Sequence, residues 1–265
     1  MDGFDILQYL SENALTISLA STRIAVIFLI LPLFTSELVP ALVRNAVFLS
    51  MAIMTVVIQP TLDLKALHTA AWLILFVKEA LVGLTIGILF GVYLWAFETA
   101  GQIIDNQIGA SNAQVQDPLT GNQTTLIGSF LARLANYIFV SAGGLLLLNG
   151  VLFESYLIWP IETRLPELKT AGVSVVGSEF YYYFKLTLLI ASPMLVVILM
   201  IDSMMGLVNR YAQQFNVFFL SMSLKMLAAI VMLFITMISL IQLLITEMHK
   251  HSEQIPSILQ HLYGG

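Results

Sequence analysis

The chain has 265 residues, of which 58% are hydrophobic and only 10% charged, with a net charge of −5 and no cysteine. Soluble domains carry about 25% charged residues, and a mean hydropathy of +0.91 points instead to an integral membrane protein or one buried in a hydrophobic assembly. No basic cluster supports nucleic acid or anionic-lipid recognition, and without Cys there is no disulfide, thiolate nucleophile or zinc–thiolate site.

The amino terminus, MDGFDILQYLSE, is acidic and has no Lys or Arg before Arg23. That is the wrong start for a cleaved signal peptide, so the first apolar segment is expected to be retained. This segment runs from Ala14 to Phe34, with Arg23 inside it and Pro32 near its end. The second, Asn45 to Leu62, holds 18 residues without a charge. The third, Ala66 to Phe97, is long for one span and is divided by Lys78-Glu79. After a polar interval the fourth covers Leu134 to Phe153, 20 uncharged residues, and extends weakly to Trp159-Pro160. A charged connector over Glu162–Lys185 follows, with Pro166, Gly172 and Gly177 as expected breakers. The fifth segment, Leu186 to Ile201, is interrupted by Ser192-Pro193 and closed by Asp202; the sixth runs from Met226 to Thr246, before a polar tail.

Apolar runs of about 18–22 residues match helices that cross a bilayer core, and the lack of two-residue alternation argues against a β-barrel. The predicted fold is all-α, with six to eight long hydrophobic helices and little or no strand. One domain is expected over 1–265: N-terminal helices (1–98), a polar loop region (99–132), a central helix (133–161), a charged connector (162–185) and a C-terminal helical hairpin with tail (186–265). With a cytoplasmic amino terminus, the positive-inside tendency places the polar interval outside and the connector, with Arg164, Lys169 and Lys185, inside. Arg44, Arg210 and Lys225 fit this orientation poorly.

The polar interval is the most informative stretch. Gly101 to Gly128 reads GQIIDNQIGASNAQVQDPLTGNQTTLIG, with only two acids, Asp105 and Asp117, and no Lys or Arg. Loops longer than about 12–15 residues are usually functional or disordered. Free backbone at membrane depth is tolerated only when buried in protein or lining water. Glycines at 101, 109 and 121 would give backbone freedom, and Asp117-Pro118 is a turn signal.

Other features admit more than one reading. Gly83, Gly87 and Gly91 form a smooth helical stripe that lets another backbone approach, either within the chain or from another subunit. Arg23, Arg44, Lys78, Glu79, Asp202, Arg210 and Lys225 sit in or beside apolar segments, where charges usually pair or face water. Inter-helix pairing, interfacial snorkelling, an ion relay and bridges to partner subunits all fit. Nine of the twelve Met residues lie between Met194 and Met248, as core filler or as a deformable seal. His68, His249, His251 and His261 form no metal-binding spacing, and the zincin, hydrolase-elbow, dinucleotide and phosphate-loop motifs are absent. No enzyme activity, metal or cofactor is expected.

Within the polar interval, Gly101-Gln102-Ile103-Ile104-Asp105-Asn106-Gln107, Gly109-Ala110, Asp117-Pro118 and Gly121 resemble the G-x-I-D-N-Q-R-G-A…DP…G signature of the SctT/FliR family of type III secretion export apparatus proteins. Ser155-Tyr156 with Trp159-Pro160 is similar to its SY…WP element, and Asn209 to Phe218 to its R-F-A-P-x-x-N-V-F element. Lys225, Leu31-Pro32 and Arg44-Asn45 also match. The DNQ form favours the injectisome branch. Ile108 replaces the usual Arg, and Gln213 the usual Pro.

The resemblance implies a non-enzymatic subunit of a cone-shaped helical export gate in the bacterial inner membrane, built of helical hairpins partly raised toward the periplasm. Its implied partners are five SctR and four SctS subunits, SctU, and unfolded proteins in transit. It also implies that the loop over 105–123, with Asp105, Asn106, Gln107, Ile108, Gly109, Asp117, Pro118, Gly121, Asn122 and Gln123, plugs the closed channel. A small-solute secondary transporter and a membrane scaffold without a conduit are the alternatives; no inverted repeat favours the transporter.

Overall fold

A computed structural model describes residues 14–33, 40–58, 69–109, 115–116, 123–161, 170–211 and 217–263. Seven helices lie among the described residues: α1 (Ala14–Ile30), α2 (Ala41–Ile58), α3 (Thr69–Ile108), α4 (Leu126–Ser141), α5 (Gly144–Ile158), α6 (Thr170–Tyr211) and α7 (Val217–Tyr263). Two short strands, β1 (Val115–Gln116) and β2 (Gln123–Thr124), pair antiparallel within the polar interval. The all-α expectation holds, with this two-residue ladder as its one exception among the described residues.

Several boundaries differ from those the apolar runs suggest. α3 is one helix of 40 residues. Lys78-Glu79 does not divide it, because both side chains are buried and partnered within the fold. α3 also continues to Ile108, eight residues into the polar interval. The fourth apolar run breaks in two. Gly143 takes φ +85° between α4 and α5, a left-handed conformation that glycine adopts without a Cβ penalty.

Three of the expected breaks in the second half do not occur. Gly172 and Gly177 lie inside α6, as does Pro193. A proline removes the N–H that would bond the carbonyl four residues earlier. Here that carbonyl belongs to Leu189, and the Ser192 hydroxyl donates to it at 3.0 Å. The freed acceptor is thus satisfied in an apolar setting, where an orphan would be costly. The helix likewise runs past Asp202, and α7 carries on through the polar tail. The connector residues 162–169 lie outside the described residues.

The chain separates into two compact units. Unit 1 comprises Met1–Gly91, Gly143–Ser178 and Lys250–Gly265, and unit 2 comprises Val92–Ala142 and Glu179–His249. In unit 1, α1 buries Leu19, Ala20, Ile24 and Ile27, α3 buries Val82 and Ile86, and α5 buries Leu148, Leu152 and Tyr156. In unit 2 the buried residues include Phe97, Ala100 and Ile104 of α3, Leu131, Ala135 and Phe139 of α4, and Ile190 and Ile198 of α6.

Three helices are long and apolar enough to cross a membrane, over Trp72–Ile108, Gly177–Tyr211 and Phe219–Leu259, and α4 with α5 qualifies as a broken pair. Exposed apolar residues concentrate on α6 and α7. Phe180, Phe184 and Leu188 make one stripe on α6, and Phe234, Ile235 and Ile238 are among those on α7. Such faces require lipid or another protein surface.

Candidate functional site

The polar interval is rooted in unit 2, where α3 ends and α4 begins. The two helices meet backbone against backbone at Gly101 and Gly128. A Cβ placed on Gly101 would stand 2.5 Å from the Gly128 Cα and 2.7 Å from its nitrogen. Gly101 therefore serves close approach; the expectation that it lends the loop freedom is corrected.

One helical turn later, Asp105 is 2% exposed. Its Oδ2 accepts hydrogen bonds from the backbone N–H groups of Ile127 at 2.9 Å and Gly128 at 3.0 Å. These donors belong to the first turn of α4, which Thr125 does not cap with its own side chain. A carboxylate there satisfies otherwise orphaned donors and meets the positive end of the helix dipole. On α3 alone, a negative charge in the last turn would be unfavourable, so the position makes physical sense only through α4.

Asp105, Asn106, Gln107 and Ile108 are thus helical, and the loop itself starts at Gly109; the expected loop limits of 105–123 are corrected accordingly. Gly109 takes φ +88° and its N–H donates to the Asn106 carbonyl at 3.1 Å, which terminates the helix. Ile108, where the family pattern has Arg, is 1% exposed; an apolar side chain suits that burial. Asn106 is exposed and Gln107 half-buried. Gln123 lies on β2, paired with Gln116. Asp117, Pro118, Gly121 and Asn122 lie outside the described residues.

The end of α3 is held from another side by Lys225 of α7. Its Nζ donates to the Gln107 carbonyl at 3.1 Å and pairs with Asp202 Oδ1 of α6 at 2.9 Å. Ser221 donates to the same carboxylate oxygen at 3.3 Å. The side chains of Lys225 and Asp202 are 12% and 35% exposed. A cation at a helix carboxyl terminus bonds the last carbonyls and opposes the negative dipole end. Arg210 is exposed in the last turn of α6.

A polar seam also joins α3, α6 and α7 inside unit 2. Tyr182 donates to Glu247 Oε2 at 2.6 Å, the Tyr93 ring meets the Tyr182 ring edge-on with centroids 6.0 Å apart, and Thr99 and Tyr183 share a hydrogen bond of 2.7 Å. Sequence pattern gave no warning of it, because its members come from three distant segments.

Unit 1 holds a buried ion network. Arg23 of α1 binds Glu79 of α3 through two bonds, Nε to Oε2 at 2.7 Å and Nη2 to Oε1 at 3.0 Å. Bidentate geometry of this kind is among the stronger charge-assisted arrangements. Arg23 also donates to the Ser155 hydroxyl at 2.9 Å and the Trp159 carbonyl at 3.1 Å. Lys78 pairs with Glu79 Oε1 at 3.0 Å and donates to the carbonyls of Pro160 at 2.7 Å and Ile161 at 2.8 Å. The side chains of Arg23, Lys78 and Glu79 are 0% exposed. The Arg23 guanidinium lies 3.9 Å from the Tyr156 ring centroid, and Tyr156 donates to the Ala20 carbonyl at 3.0 Å.

The glycine stripe makes this network reachable. A Cβ on Gly83 would stand 2.5 Å from the Arg23 carbonyl oxygen, and one on Gly87 would press on the Ile30 side chain at 3.1–3.2 Å. At these two positions the close neighbour is α1 of the same chain; Gly91 is buried in α3. Arg44, half-buried on α2, lines a cleft of about 1020 Å³ with Pro32, Phe28 and Phe48 of the same hairpin.

Many residues that carried the resemblance are therefore structural ties. Gly101 and Asp105 join α3 to α4, Ser155, Tyr156, Trp159 and Pro160 receive Arg23 and Lys78, and Lys225 holds the end of α3. Sequence reading missed Gly128 as the counterpart of Gly101, and missed the three consecutive carbonyls at 159–161 as acceptors. The break after the WP element was their available signal.

Residues 14–251 match the family described as bacterial export proteins, family 1. The chain is 31% identical over 234 residues to Yop proteins translocation protein T of Yersinia pestis, covering 87% of this chain and 88% of that one. It is 29% identical over 232 residues to the secretion system apparatus protein SsaT of Salmonella typhimurium, covering 86% and 89%. Flagellar biosynthetic protein FliR of Bacillus subtilis is 30% identical over 219 residues, covering 81% and 83%. With its paired charges inside the matched span, the chain belongs to the bacterial export proteins, family 1.

Proposed function

We propose that the chain is a non-enzymatic core subunit of a type III secretion export gate, and that its polar stretch plugs the channel at rest. The observation that carries this reading is the Asp105 clamp. Its bonds to Ile127 and Gly128 hold the last turn of α3 against the first turn of α4, where the stretch leaves one helix and re-enters the other. Between these roots the sequence has one ionisable residue, Asp117, among amides, hydroxyls and small apolar groups. Weak, exchangeable hydrogen bonds suit a surface past which unfolded chains of many sequences must slide. The exposed apolar faces of α6 and α7 suit burial against neighbouring subunits of the SctR type in five copies, the SctS type in four copies and the SctU type, and against lipid. The gate then lies in the inner membrane, partly raised toward the periplasm.

Deletion of residues 110–122, replaced by a short Gly-Ser linker, is the test. This deletion spares Gln107, whose carbonyl holds Lys225. Ion conductance of membranes carrying the assembled, resting gate is expected to rise while assembly with the partner subunits persists. Unchanged conductance in a correctly assembled gate would falsify the plug.

A further inference from the structure

We infer that the two roots of the polar stretch are held unequally: Asp105 fixes the α4 root permanently, while Lys225 is a releasable positioning residue for the α3 root. The consequence for conductance rests on the plug reading above; the inequality itself rests on unit 2 alone.

The α4 root has every mark of a permanent joint. Asp105 is 2% exposed and accepts two backbone hydrogen bonds. The Gly101–Gly128 contact leaves no room for even a methyl group between the helices. Releasing Asp105 would strand buried donors and a buried carboxylate together, a cost well above that of one ordinary hydrogen bond.

The α3 root is built differently. Asp105 ties the last turn of α3 to α4, and beyond Asp105 the end of α3 is held by a bond from the Lys225 ammonium to the Gln107 carbonyl, at 3.1 Å. The counter-ion, Asp202, is 35% exposed, so this pair is less enclosed than the Asp105 joint, and partly exposed pairs are weak. Lys225 comes from α7 and Asp202 from α6. A small relative shift of either helix would move the ammonium away from α3. Two residues beyond Gln107, Gly109 has φ +88°, with open space where a side chain would stand.

The test is amide hydrogen exchange on the assembled gate, read by peptide, together with resting conductance. In Lys225→Met, exchange across 103–109 is expected to quicken about three- to tenfold, the effect of losing one net hydrogen bond, while exchange across 126–131 stays unchanged. Asp202→Asn should give the same pattern more weakly, and Lys225→Arg should restore the original rates. Conductance should rise with exchange at 103–109. Unchanged exchange at 103–109 in Lys225→Met overturns the inference whatever the conductance does. Equal quickening at 126–131 also overturns it, because the roots would then move as one. Faster exchange at 103–109 with unchanged conductance, in a gate that leaks when 110–122 is deleted, overturns Lys225 as the control of the stretch. If that deletion does not leak either, the plug reading fails and the unequal roots stand on exchange alone.

Discussion

Unit 1 and unit 2 use the same device in two settings. In unit 1, Arg23 and Lys78 share Glu79 and donate to the carbonyls of Trp159, Pro160 and Ile161. In unit 2, Lys225 pairs with Asp202 and donates to the carbonyl of Gln107. Each time a cation from one helix closes the carboxyl end of another and a carboxylate balances it. The difference is burial: the first set is fully buried, whereas the second is 12% and 35% exposed. Unit 1 holds two cations to one anion, and the negative dipole end of α5 supplies part of the missing charge. That network cannot lose Glu79 without leaving two buried cations uncompensated. The unit 2 pair is only partly buried, so losing a member costs less. Identical chemistry thus makes a fixed corner in one unit and an adjustable end in the other.

The comparison can be broken most directly at Glu79. Glu79→Leu leaves Arg23 and Lys78 buried without their anion, and is expected to cost about 3–5 kcal/mol, read as loss of folded protein in a detergent thermal melt. Combining it with Arg23→Met and Lys78→Met should recover much of that loss, since apolar replacement of a whole buried ion set is often neutral. A Glu79 variant as mild as one at Asp202 would erase the distinction between the units. Next in size is Gly101→Val, which drives a side chain into the Gly128 backbone. Overpacking of this kind costs about 1–3 kcal/mol, and reduced assembly with partner subunits is the readout. Asp105→Ala removes the cap on α4, with an expected loss of about 1–2 kcal/mol and faster exchange at Ile127 and Gly128. The smallest effect belongs to Asp202→Asn, at about 0–1 kcal/mol by thermal melt. A larger global loss there would place Lys225–Asp202 with the fixed corner.

Composition made the helical class legible, and charge in apolar runs marked Arg23, Glu79, Asp202 and Lys225 as residues needing partners. Their partners were hidden, because Arg23 and Glu79 lie 56 positions apart and Lys225 and Gln107 lie 118 apart. The glycine stripe announced a close approach without saying what approaches; α1 does. Boundaries failed for identifiable reasons. The polar residues 101–108 stay helical because their burial is against α4 and α7 rather than lipid. The run Leu134–Phe153 looks continuous because Gly143 breaks it by backbone conformation, which hydropathy does not register. Pro193 reads as an interruption until Ser192 is seen to satisfy Leu189. In the polar stretch the sequence marked the place, and the structure moved its meaning. Gly101 and Asp105 are joinery, and α3 ends only at Ile108.

The buried guanidinium of Arg23 also imposes a timetable on synthesis. Its Ser155 acceptor lies 132 residues later in the chain. At about 5–20 residues per second, Ser155 is made roughly 7–26 s after Arg23. Throughout that interval α1 carries a full positive charge in an apolar helix whose final partners do not yet exist. Glu79, 56 residues on, offers relief partway, but α1 cannot settle into its finished surroundings until Trp159 has been made. The first helix among the described residues is therefore completed only after more than half of the chain has been made, and ribosome-stalled chains that expose or withhold Trp159 should differ sharply in the protection of α1 from proteolysis.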